Sequence, residues 1–425
     1  MDKQRSGDEF DAIVVGSGPG GAAIALELSK RKRRVLILER GGNQPIDEGS
    51  FRTLSIFRPL SVGDNLSMAR AFTTGGTTAI YFAVSGLPSL ETFRSLGIDL
   101  SKELEEVRGE LPFTVLPDEV LGAQSIRLRE SAKELGYKWE KYPMLVDLSK
   151  CASGYTYESK WNARTYVQQA VENGATLTTR AKVLKVLVEK GQAVGVEYHL
   201  QKGKGQVELR RAFAARTILA AGASSSPLIL RDSGMKSMVN CGFHCSLTFA
   251  LYGVVPGMKA GDTFAGTMGG EQVDGIILGD ANHARAPYRM FMFGNRKFAL
   301  AFRHSKSMGI GVRIKEGTGG VLKEDGRYYE QLKREELTKL EAGENSARRI
   351  LRHAGAKDIT KTRLGVGQLA GTIRIKEHLD ENLQTEYRNL YVCDGAILPE
   401  NLKVPPTLTL VCLGKFLANH LSRVI

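Results

Sequence analysis

Residues 11–21 read DAIVVGSGPGG, an apolar and β-branched run that leads directly into a glycine-rich turn. The run Asp11–Val15 predicts a buried parallel strand, and the Ala- and Leu-rich residues up to about Lys30 predict a helix. A second apolar run, Val35–Leu38, predicts another buried strand. This order predicts a βαβ unit of the Rossmann type at the start of the chain.

The glycines of the first turn have the GxGxxG spacing of a dinucleotide site. Gly16 permits a tight turn, Gly18 lets the main chain approach a pyrophosphate, and Gly21 lets the helix pack closely on the strand. Glu39 follows at the end of the second strand, where a carboxylate can accept hydrogen bonds from ribose hydroxyls. Arg40, the next residue, is a further candidate cofactor contact. The pattern therefore predicts a dinucleotide site.

Later segments favour FAD over NAD(P), because a flavin requires more protein around it than a nicotinamide cofactor does. Each candidate segment is a glycine- and hydroxyl-rich loop, a strand end or a helix start. They are Thr73–Thr78 with Gly75, Gly76, Thr77 and Thr78, the strand ends at Ala221-Gly222 and Asp394-Gly395, and the helix start at Pro406-Thr407. A helix N-terminus directed at the flavin would stabilise the anionic reduced ring.

The rest of the chain alternates between α/β segments and a β-rich region. Helices are predicted at Asn162–Asn173, Ser226–Asp232, Gln331–Lys339, Asn345–Ala354 and Pro406–Val424. Strands are predicted at Leu177–Thr179, Lys182–Glu189, Gly195–Leu200, Gln206–Arg211, Thr217–Ala221 and Asn389–Cys393. Between about 245 and 325 the pattern predicts strands and glycine-rich turns, including Phe298–Phe302 and Gly309–Lys315.

These patterns predict an α/β fold with two domains, which the length of 425 residues also favours. The first is a Rossmann-type FAD-binding domain assembled from residues 1–85, 160–245 and 360–425. The second is a β-sheet-based (α+β) substrate domain with cap segments, formed by residues 86–159 and 246–359.

The chain is basic, with a net charge of +13 and a pI of about 9.4. One basic run, 30–34, falls where the first helix should end, and there cations complement the helix dipole. No aromatic–basic motif accompanies the charge, so a nucleic-acid partner is not expected. The excess instead favours an anionic small-molecule substrate or an acidic electron-transfer partner.

The sequence also indicates where the protein works. No run approaches the roughly 18 apolar residues of a transmembrane helix, and the charged start lacks the apolar region of a secretion signal. We therefore expect a cytoplasmic protein. The five cysteines are too few and too scattered for a disulfide framework or a metal site, and no metal is expected.

Beyond these patterns, the chain resembles the glucose–methanol–choline (GMC) oxidoreductases along nearly its whole length. The resemblance lies in segments 11–42, 162–196, 217–234 and 367–421, and in the Gly75-Gly76 loop. Its most specific motifs are TILAAGASSSPLILRDSG at 217–234, GTIR at 371–374, NLYVCDGAILP at 389–399 and PTLTL at 406–410.

The resemblance implies FAD as cofactor and a substrate domain with a β-sheet floor. It further implies hydride transfer from a CH–OH group of a small molecule to flavin N5. It places the backbone of Val183 against the adenine. Because several members of the family pass electrons to quinones or proteins, a quinone or protein acceptor is compatible with the resemblance.

Two positions depart from the family pattern. Gln368 stands where the family generally has the histidine that takes the alcohol proton, and Pro405 stands where His or Asn is common. Gln368 cannot accept a proton near neutral pH, so a role in positioning the substrate is expected for it. Among the other histidines, His244 and His304 are candidates for a replacement base.

Three functions follow from this reading. The first is an FAD-dependent dehydrogenase that acts on a CH–OH donor with an unorthodox base. The second is a flavoenzyme of another reaction type, such as reduction of a C=C bond, which requires no alcohol base. The third is a flavin-binding protein whose active site has decayed.

Overall fold

The computed structural model describes residues 10–46, 51–63, 65–203, 205–315, 319–400 and 405–424. Its helices are α1 (Pro19–Lys30), α2 (Phe51–Ile56), α3 (Leu90–Ser95), α4 (Ser101–Glu110), α5 (Ala123–Glu134), α6 (Arg164–Glu172), α7 (Ser226–Asp232), α8 (Arg285–Gly294), α9 (Phe298–Ala301), α10 (Arg334–His353) and α11 (Thr407–Val424).

Its strands are β1 (Phe10–Val15), β2 (Val35–Leu38), β3 (Leu60–Ser61), β4 (Ser67–Met68), β5 (Phe113–Val115), β6 (Glu140–Lys141), β7 (Pro143–Leu145), β8 (Thr176–Thr178), β9 (Ala181–Glu189), β10 (Gln192–Gly203), β11 (Gln206–Leu219), β12 (Gly242–Val254), β13 (Met268–Glu271), β14 (Ile276–Asp280), β15 (Ser307–Lys315), β16 (Gly320–Leu322), β17 (Tyr328–Tyr329), β18 (Lys357–Lys361), β19 (Gly365–Ala370) and β20 (Leu390–Val392).

The first sheet has the strand order β8–β2–β1–β11–β10–β9, with β20 beside β11. Strands β8, β2, β1, β11 and β20 pair in parallel, while β9 and β10 extend the sheet as antiparallel strands. Every residue of β2 is buried, as expected for a parallel strand covered on both faces. The predicted β1–α1–β2 unit is confirmed.

Strand β11 corrects one prediction, because the two strands predicted at Gln206–Arg211 and Thr217–Ala221 form a single strand of 14 residues. Its first part pairs antiparallel with β10, and its second part pairs in parallel with β1. The two pairings follow each other without a gap: Phe213 pairs with β10 and Ala214 with β1. The intervening chain therefore stays extended.

The second sheet has the strand order β3–β4–β19–β12–β15–β14–β13–β6, with β16, β17 and β18 at its margins. Ile310, Val312 and Ile314 of β15 are fully buried on one face of it, and helix α10 packs against this strand. A parallel sheet and an antiparallel sheet in one α/β chain confirm the predicted fold class. Strands β3, β4 and β19 lie in ranges predicted for the cofactor domain but pair in this sheet.

Helix α10 corrects a second prediction, since the helices predicted at Gln331–Lys339 and Asn345–Ala354 are one helix of 20 residues. Gly343 lies within it, between the two predicted helices. Its missing side chain is required for packing: a Cβ atom there would lie 2.5 Å from Cγ1 of Val312 and 3.1 Å from Cγ2 of Ile276. The glycine allows close contact between helix and sheet.

The region predicted to contain only strands and turns also holds two helices, α8 and α9. Phe298–Phe302 was predicted as a strand, which is wrong, because Phe298–Ala301 is a helical turn. Phe298 and Phe302 are exposed while Leu300 and Ala301 are buried. This spacing of four is helical rather than alternating.

Within the described ranges, no helix combines the length and the apolar character that a bilayer span requires. In the same ranges, His, Cys, Asp and Glu side chains form no group of three that could hold a metal ion. All five cysteines are buried. Burial raises the pKa of Cys412 to about 12, so this thiol stays protonated near neutral pH.

A buried ammonium joins the last helix to the first. The side chain of Lys415 in α11 is 3% exposed, and its Nζ lies 2.7 Å from Glu110 Oε1, 3.1 Å from Glu27 Oε1 and 3.6 Å from Glu106 Oε2. Burial alone would lower the pKa of Lys415, but the hydrogen bond to Glu110 and the charge of Glu27 raise it. The cluster therefore ties α11 to α1 and α4.

Replacement of this lysine should destabilise the fold. In Lys415→Met, three carboxylates lose their shared counter-charge, so we expect urea denaturation to show a free energy of unfolding lower by about 3–5 kcal/mol. The control Lys102→Met removes an exposed ammonium 3.8 Å from Glu106 and should change it by less than about 0.5 kcal/mol. Equal effects in both variants would contradict a structural role for Lys415.

The same cluster predicts an acid dependence. Lys415 helps to lower the pKa of Glu27 below the ordinary value of 4.5, against the effect of burial. The lowered pKa means that this stabilisation is present above pH 4.5 and is lost as the pH falls through the folded-state value. Lys415→Met should therefore show a smaller loss of stability than the wild type between pH 5 and 3.

Candidate functional site

The first glycine turn connects β1 to α1 and is tightly enclosed on one side. Gly16 has φ +100°, and a Cβ atom there would overlap the carbonyl oxygen of Ala220; at Gly21 a Cβ atom would overlap the carbonyl oxygen of Gly16. Gly18 differs, because no atom of the described residues lies within 4 Å of its Cβ position. In the described part of the chain, no side chain caps the N-terminus of α1. Among these residues the turn is therefore open where the positive end of α1 begins.

Glu39 lies at the end of β2, next to this turn. It is 6% exposed, and its carboxylate accepts hydrogen bonds from Ser17 N (3.1 Å), Ser17 Oγ (2.6 Å) and Gly41 N (2.7 Å). Burial raises the pKa of Glu39, and these hydrogen bonds partly offset the effect. The predicted acid is thus held against the predicted glycine turn.

The second glycine loop packs directly on the first turn. Gly75 N donates to Ser17 Oγ at 3.1 Å, and a Cβ atom at Gly76 would lie 3.2 Å from Cα of Gly18. Thr78 Oγ1 is used within the protein, since it donates to Gly75 O at 2.6 Å. Thr77 is exposed. Two segments 58 residues apart in sequence therefore form one surface.

Asp394 joins the ends of β11 and β20. Its buried carboxylate accepts hydrogen bonds from Gly222 N (2.9 Å), Ala396 N (2.8 Å) and the hydroxyl of Ser226. Burial raises the pKa of Asp394, and these bonds lower it again in part. Gly222, which follows Ala221, and Asp394, which precedes Gly395, are therefore held together at the carboxyl ends of two parallel strands.

The start of α11 meets the segment that follows the second glycine loop. Leu408 N donates to Ser85 Oγ at 3.2 Å. Thr407 is buried, and the buried hydroxyl of Thr409 has no partner among the described residues. The helix begins at Thr407, one residue after the predicted start at Pro406. The positive end of α11 thus lies beside the segment that leads away from the second loop.

Val183 and Arg40 lie near the end of β2. Val183 lies two residues beyond Ala181, whose N–H donates to Glu39 O at 2.8 Å. The guanidinium of Arg40 stacks over the Phe72 ring at 4.2 Å. Both predicted cofactor residues therefore lie at the edge where β2 ends and β9 begins.

One face of the second sheet carries polar side chains. Gln368 of β19 pairs with Ser246 of β12, and a bulge between Ser246 and Leu247 inserts Gly367. If β19 paired regularly through Gly367, Gln368 would share the face of buried Val366; because Gly367 is bulged, Gln368 instead shares the face of Ser246. We call this side the polar face.

His244 lies on the polar face beside Gln368. It is two residues from Ser246 on β12, so its side chain is a diagonal neighbour of Gln368, about 7–8 Å away between backbones. A Cβ atom on Gly371 would lie 2.5 Å from its Nδ1. Burial lowers the pKa of His244 below the ordinary value of 6.5, with nearby Glu400 acting in the opposite direction. The imidazole is therefore uncharged at pH 7 and can accept a proton.

Two other side chains of the polar face have buried polar atoms without a partner among the described residues, Ser246 Oγ and Arg313 Nε. Arg313 pairs with Thr248 across β12 and β15. No described carboxylate forms a salt bridge with Arg313. Burial lowers the pKa of Arg313, and the nearby Tyr142 and Glu271 act in the opposite direction. A buried cation and a buried hydroxyl are available to a ligand on this face.

The other candidate base lies elsewhere. His304 precedes Ser307, which pairs with Val254, eight residues along β12 from Ser246. Eight strand residues span about 27 Å. His304 Nε2 is occupied by the carbonyl oxygen of His283 at 2.9 Å. The structure therefore brings His244 to Gln368 but not His304.

Several residues at this site were not predicted from the sequence. Ser17 could have been found, because it lies within the GxGxxG turn and a hydroxyl there can reach Glu39. Ser85, Ser246 and Arg313 carry no local signal. Their positions follow from strand register and from a contact between distant segments, which only the structure shows.

Comparison with known proteins gives a consistent result. The family model described as GMC oxidoreductase matches residues 11–247. An uncharacterized GMC-type oxidoreductase of Mycobacterium tuberculosis is 29% identical in an alignment of 285 positions, which covers 60% of this chain and 44% of that protein. The chain therefore spans less than half of this relative.

Two other relatives match over most of this chain. Long-chain-alcohol oxidase FAO3 of Arabidopsis thaliana is 22% identical over 97% of this chain and 68% of its own length. An uncharacterized protein of Methanocaldococcus jannaschii is 24% identical over 96% of this chain and 98% of its own.

Solved structures share the fold. Pyridoxine 4-oxidase from Mesorbium loti superposes with a TM-score of 0.73 at 16% identity, covering 97% of this chain and 99% of that one. Formate oxidase of Aspergillus oryzae, in a study of FAD modification, gives a TM-score of 0.70 at 14% identity, covering 98% and 99%.

Proposed function

Because the chain belongs to the GMC oxidoreductase family, we propose that it is an FAD-dependent enzyme that oxidises the CH–OH group of a small organic molecule. One observation carries the proposal. The first glycine turn, the second glycine loop and the start of α11 meet through the Gly75–Ser17 and Leu408–Ser85 hydrogen bonds. Membership of the family implies FAD as the cofactor for such a surface.

The residues present fit FAD. The open space at Gly18 and the uncapped N-terminus of α1 suit a pyrophosphate. Buried Glu39 suits a ribose, with Val183 and Arg40 at the adenine end. Gly75, Gly76, Thr77, Gly222 and Gly395 lie along the remaining path. The start of α11, with Pro406 and Thr407, has no acidic residue in its first turn and suits the electron-rich edge of the flavin.

Bound FAD would supply the acceptor for a hydride, that is, the hydrogen and the electron pair of the alcohol C–H bond, and formation of the carbonyl would also release the hydroxyl proton. The protein must take that proton. We assign this role to the neutral imidazole of His244, which replaces the base missing at position 368. The Gln368 amide lies beside it and orients the substrate oxygen. The long-chain-alcohol oxidase among the relatives supports a CH–OH donor.

We further propose that the substrate is an anion. Arg313 lies on the polar face as His244 does, and no described carboxylate forms a salt bridge with it. Leaving a cation in that position is costly unless a negative group pairs with it. Ser246, between His244 and Thr248 on β12, supplies a hydroxyl for the same ligand.

The departure at Gln368 also favours a second function, a flavoenzyme that reduces a C=C bond or performs other chemistry without an alcohol base. Pro405 supports it, because proline supplies no side-chain donor or acceptor at the second position. A flavin-binding protein with a decayed site would retain the cofactor surface but react with no donor. Measurements of flavin reduction and reoxidation separate these functions.

Gly18→Val tests the cofactor surface. Because no atom lies within 4 Å of the Gly18 Cβ position, the apoprotein should keep its melting temperature, whereas the Kd for FAD should rise by roughly 100-fold or more through overlap with the pyrophosphate. Gly109→Val, also in open space but on α4, should bind FAD like the wild type. Unchanged FAD titration of folded Gly18→Val would contradict the assignment.

His244→Gln tests the base. In anaerobic stopped-flow experiments with a panel that includes pyridoxine and long-chain alcohols, the variant should bleach the flavin about 10²–10⁴-fold more slowly. Wild-type bleaching should rise with pH and level off above a pKa below 6.5, and the variant should lack this rise. His199→Gln on β10 should retain the rate and the profile.

The same experiment distinguishes the alternatives. If no alcohol bleaches the flavin but an activated alkene reoxidises reduced flavin, the C=C reductase function is correct and the proposed one is wrong. If neither reaction occurs with FAD bound, the site has decayed. If His244→Gln bleaches at the wild-type rate with the same pH profile, His244 is not the base.

Arg313→Met tests the anionic substrate. Charge-assisted hydrogen bonds contribute about 1.5–3 kcal/mol, so the KM for 2-hydroxy acids should rise roughly 10–100-fold while the KM for matched neutral alcohols stays within about twofold. Arg313→Lys should lie between the two. An equal change for acids and neutral alcohols would show that Arg313 acts on structure and not on substrate charge.

A further inference from the structure

Three phenylalanines lie in solvent at one corner of the molecule, at the end of α8 and around α9. Phe293, Phe298 and Phe302 are 42%, 59% and 71% exposed, and they are three of the four exposed phenylalanines in the described ranges. The ring centroids of Phe293 and Phe298, and of Phe293 and Phe302, are 6.0 Å apart. We call these three residues the phenylalanine cluster.

The same segment is strongly basic. Residues 281–315 contain no Asp or Glu. Its part around the cluster contains six cationic residues, Arg285, Arg289, Arg296, Lys297, Arg303 and Lys306, of which all but Lys297 are exposed. Nearby acids offset little of this charge: Asp358 lies 3.5 Å from the Arg303 guanidinium, and Asp262 accepts from the Arg285 backbone N–H.

Helix α8 separates its two sides clearly. Tyr288 and Met292 are buried against the protein, while Arg285, Arg289 and Phe293, also spaced by four, form the outer stripe. The guanidinium of Arg289 lies 5.9 Å from the centre of the Phe302 ring. Cations therefore border the exposed rings directly, with aliphatic stems that can lie along an apolar surface.

We infer that this corner binds the surface of an anionic lipid bilayer, with the phenylalanine cluster inserted at the boundary of headgroups and acyl chains and the cations on lipid phosphates. An interfacial helix combines these two features, aromatic residues and a lysine- and arginine-rich border. Each cation near an anionic membrane adds to binding. The mode is peripheral attachment, which requires no membrane-spanning helix.

Charge complementarity favours a lipid surface over a second copy of the chain. In a twofold dimer the same patch meets itself, so six cations would face six cations. Single-stranded nucleic acid is also disfavoured, because bases stack on free ring faces, whereas these rings pack at 41° and 75° against one another.

The corner is also connected to the candidate active site. The Phe291 ring of α8 stacks on His283 at 5.4 Å, and His283 contacts Phe82, six residues beyond Gly76, at 4.9 Å. When the protein is bound to a membrane through this corner, the part of the candidate site next to the second glycine loop would therefore lie close to the bilayer. The inference itself does not depend on the proposed reaction.

Co-sedimentation of the full chain with vesicles tests the inference. Vesicles of phosphatidylcholine and phosphatidylglycerol (3:1) should bind the wild type at 100 mM salt, and pure phosphatidylcholine vesicles should bind it far less. Phe298→Ala/Phe302→Ala should lower partitioning at least about tenfold. Arg289→Gln/Arg296→Gln should lower it roughly 30-fold.

Matched controls change exposed residues elsewhere. Val207→Ala/Leu209→Ala removes two apolar side chains that are 58% and 57% exposed, and Lys32→Gln/Arg34→Gln removes two exposed charges near the end of α1; both should bind like the wild type. Circular dichroism confirms that every variant is folded.

Four outcomes would overturn the inference. These are no binding to anionic vesicles, binding that the phenylalanine variant leaves unchanged, binding of a single-stranded oligonucleotide lost in the same variants, and a dimer in sedimentation equilibrium that the phenylalanine variant abolishes.

Discussion

Close contact of α1 with its neighbours is the constraint on which the rest of the structure depends. A Cβ atom on Gly20 would overlap the carbonyl oxygen of Cys393 at the end of β20, and one on Gly414 of α11 would lie 2.6 Å from the Gly20 carbonyl oxygen. Main chains therefore touch where side chains normally intervene. Because α1 is held between β20 and α11, the first glycine turn, the strand end at Asp394 and the start of α11 have fixed relative positions.

This arrangement explains how segments from both ends of the chain build one surface. Ser17 bridges Glu39 and Gly75, Asp394 bridges β11 and β20, and Ser85 accepts a hydrogen bond from Leu408 N at the start of α11. These hydrogen bonds connect loops that are far apart in the sequence. Lys415 adds a buried charge cluster that also joins α11 to α1 and α4. Protein groups alone therefore connect the segments of the site.

The elements that were predicted correctly are those with a clear pattern in their own residues. The β1–α1–β2 unit and α7 were placed correctly, since each combines a clear apolar run with glycine or proline at its boundary. The continuity of β11, the passage of α10 through Gly343 and the helical α9 depend on partners distant in sequence. Among site residues, the glycine turn could be read directly, whereas the adjacency of His244 and Gln368 and the position of Arg313 follow from pairing register, which no local pattern encodes.

The bulge at Gly367 has a consequence for how sequences of this family are aligned. If Gly367 joined the regular pairing instead, position 368 would turn toward the hydrophobic interior and Gly367 would lie opposite Ser246. The bulge therefore decides which residue is presented on the reactive side. An alignment that displaces a gap here by one position would assign the wrong residue to the chemistry.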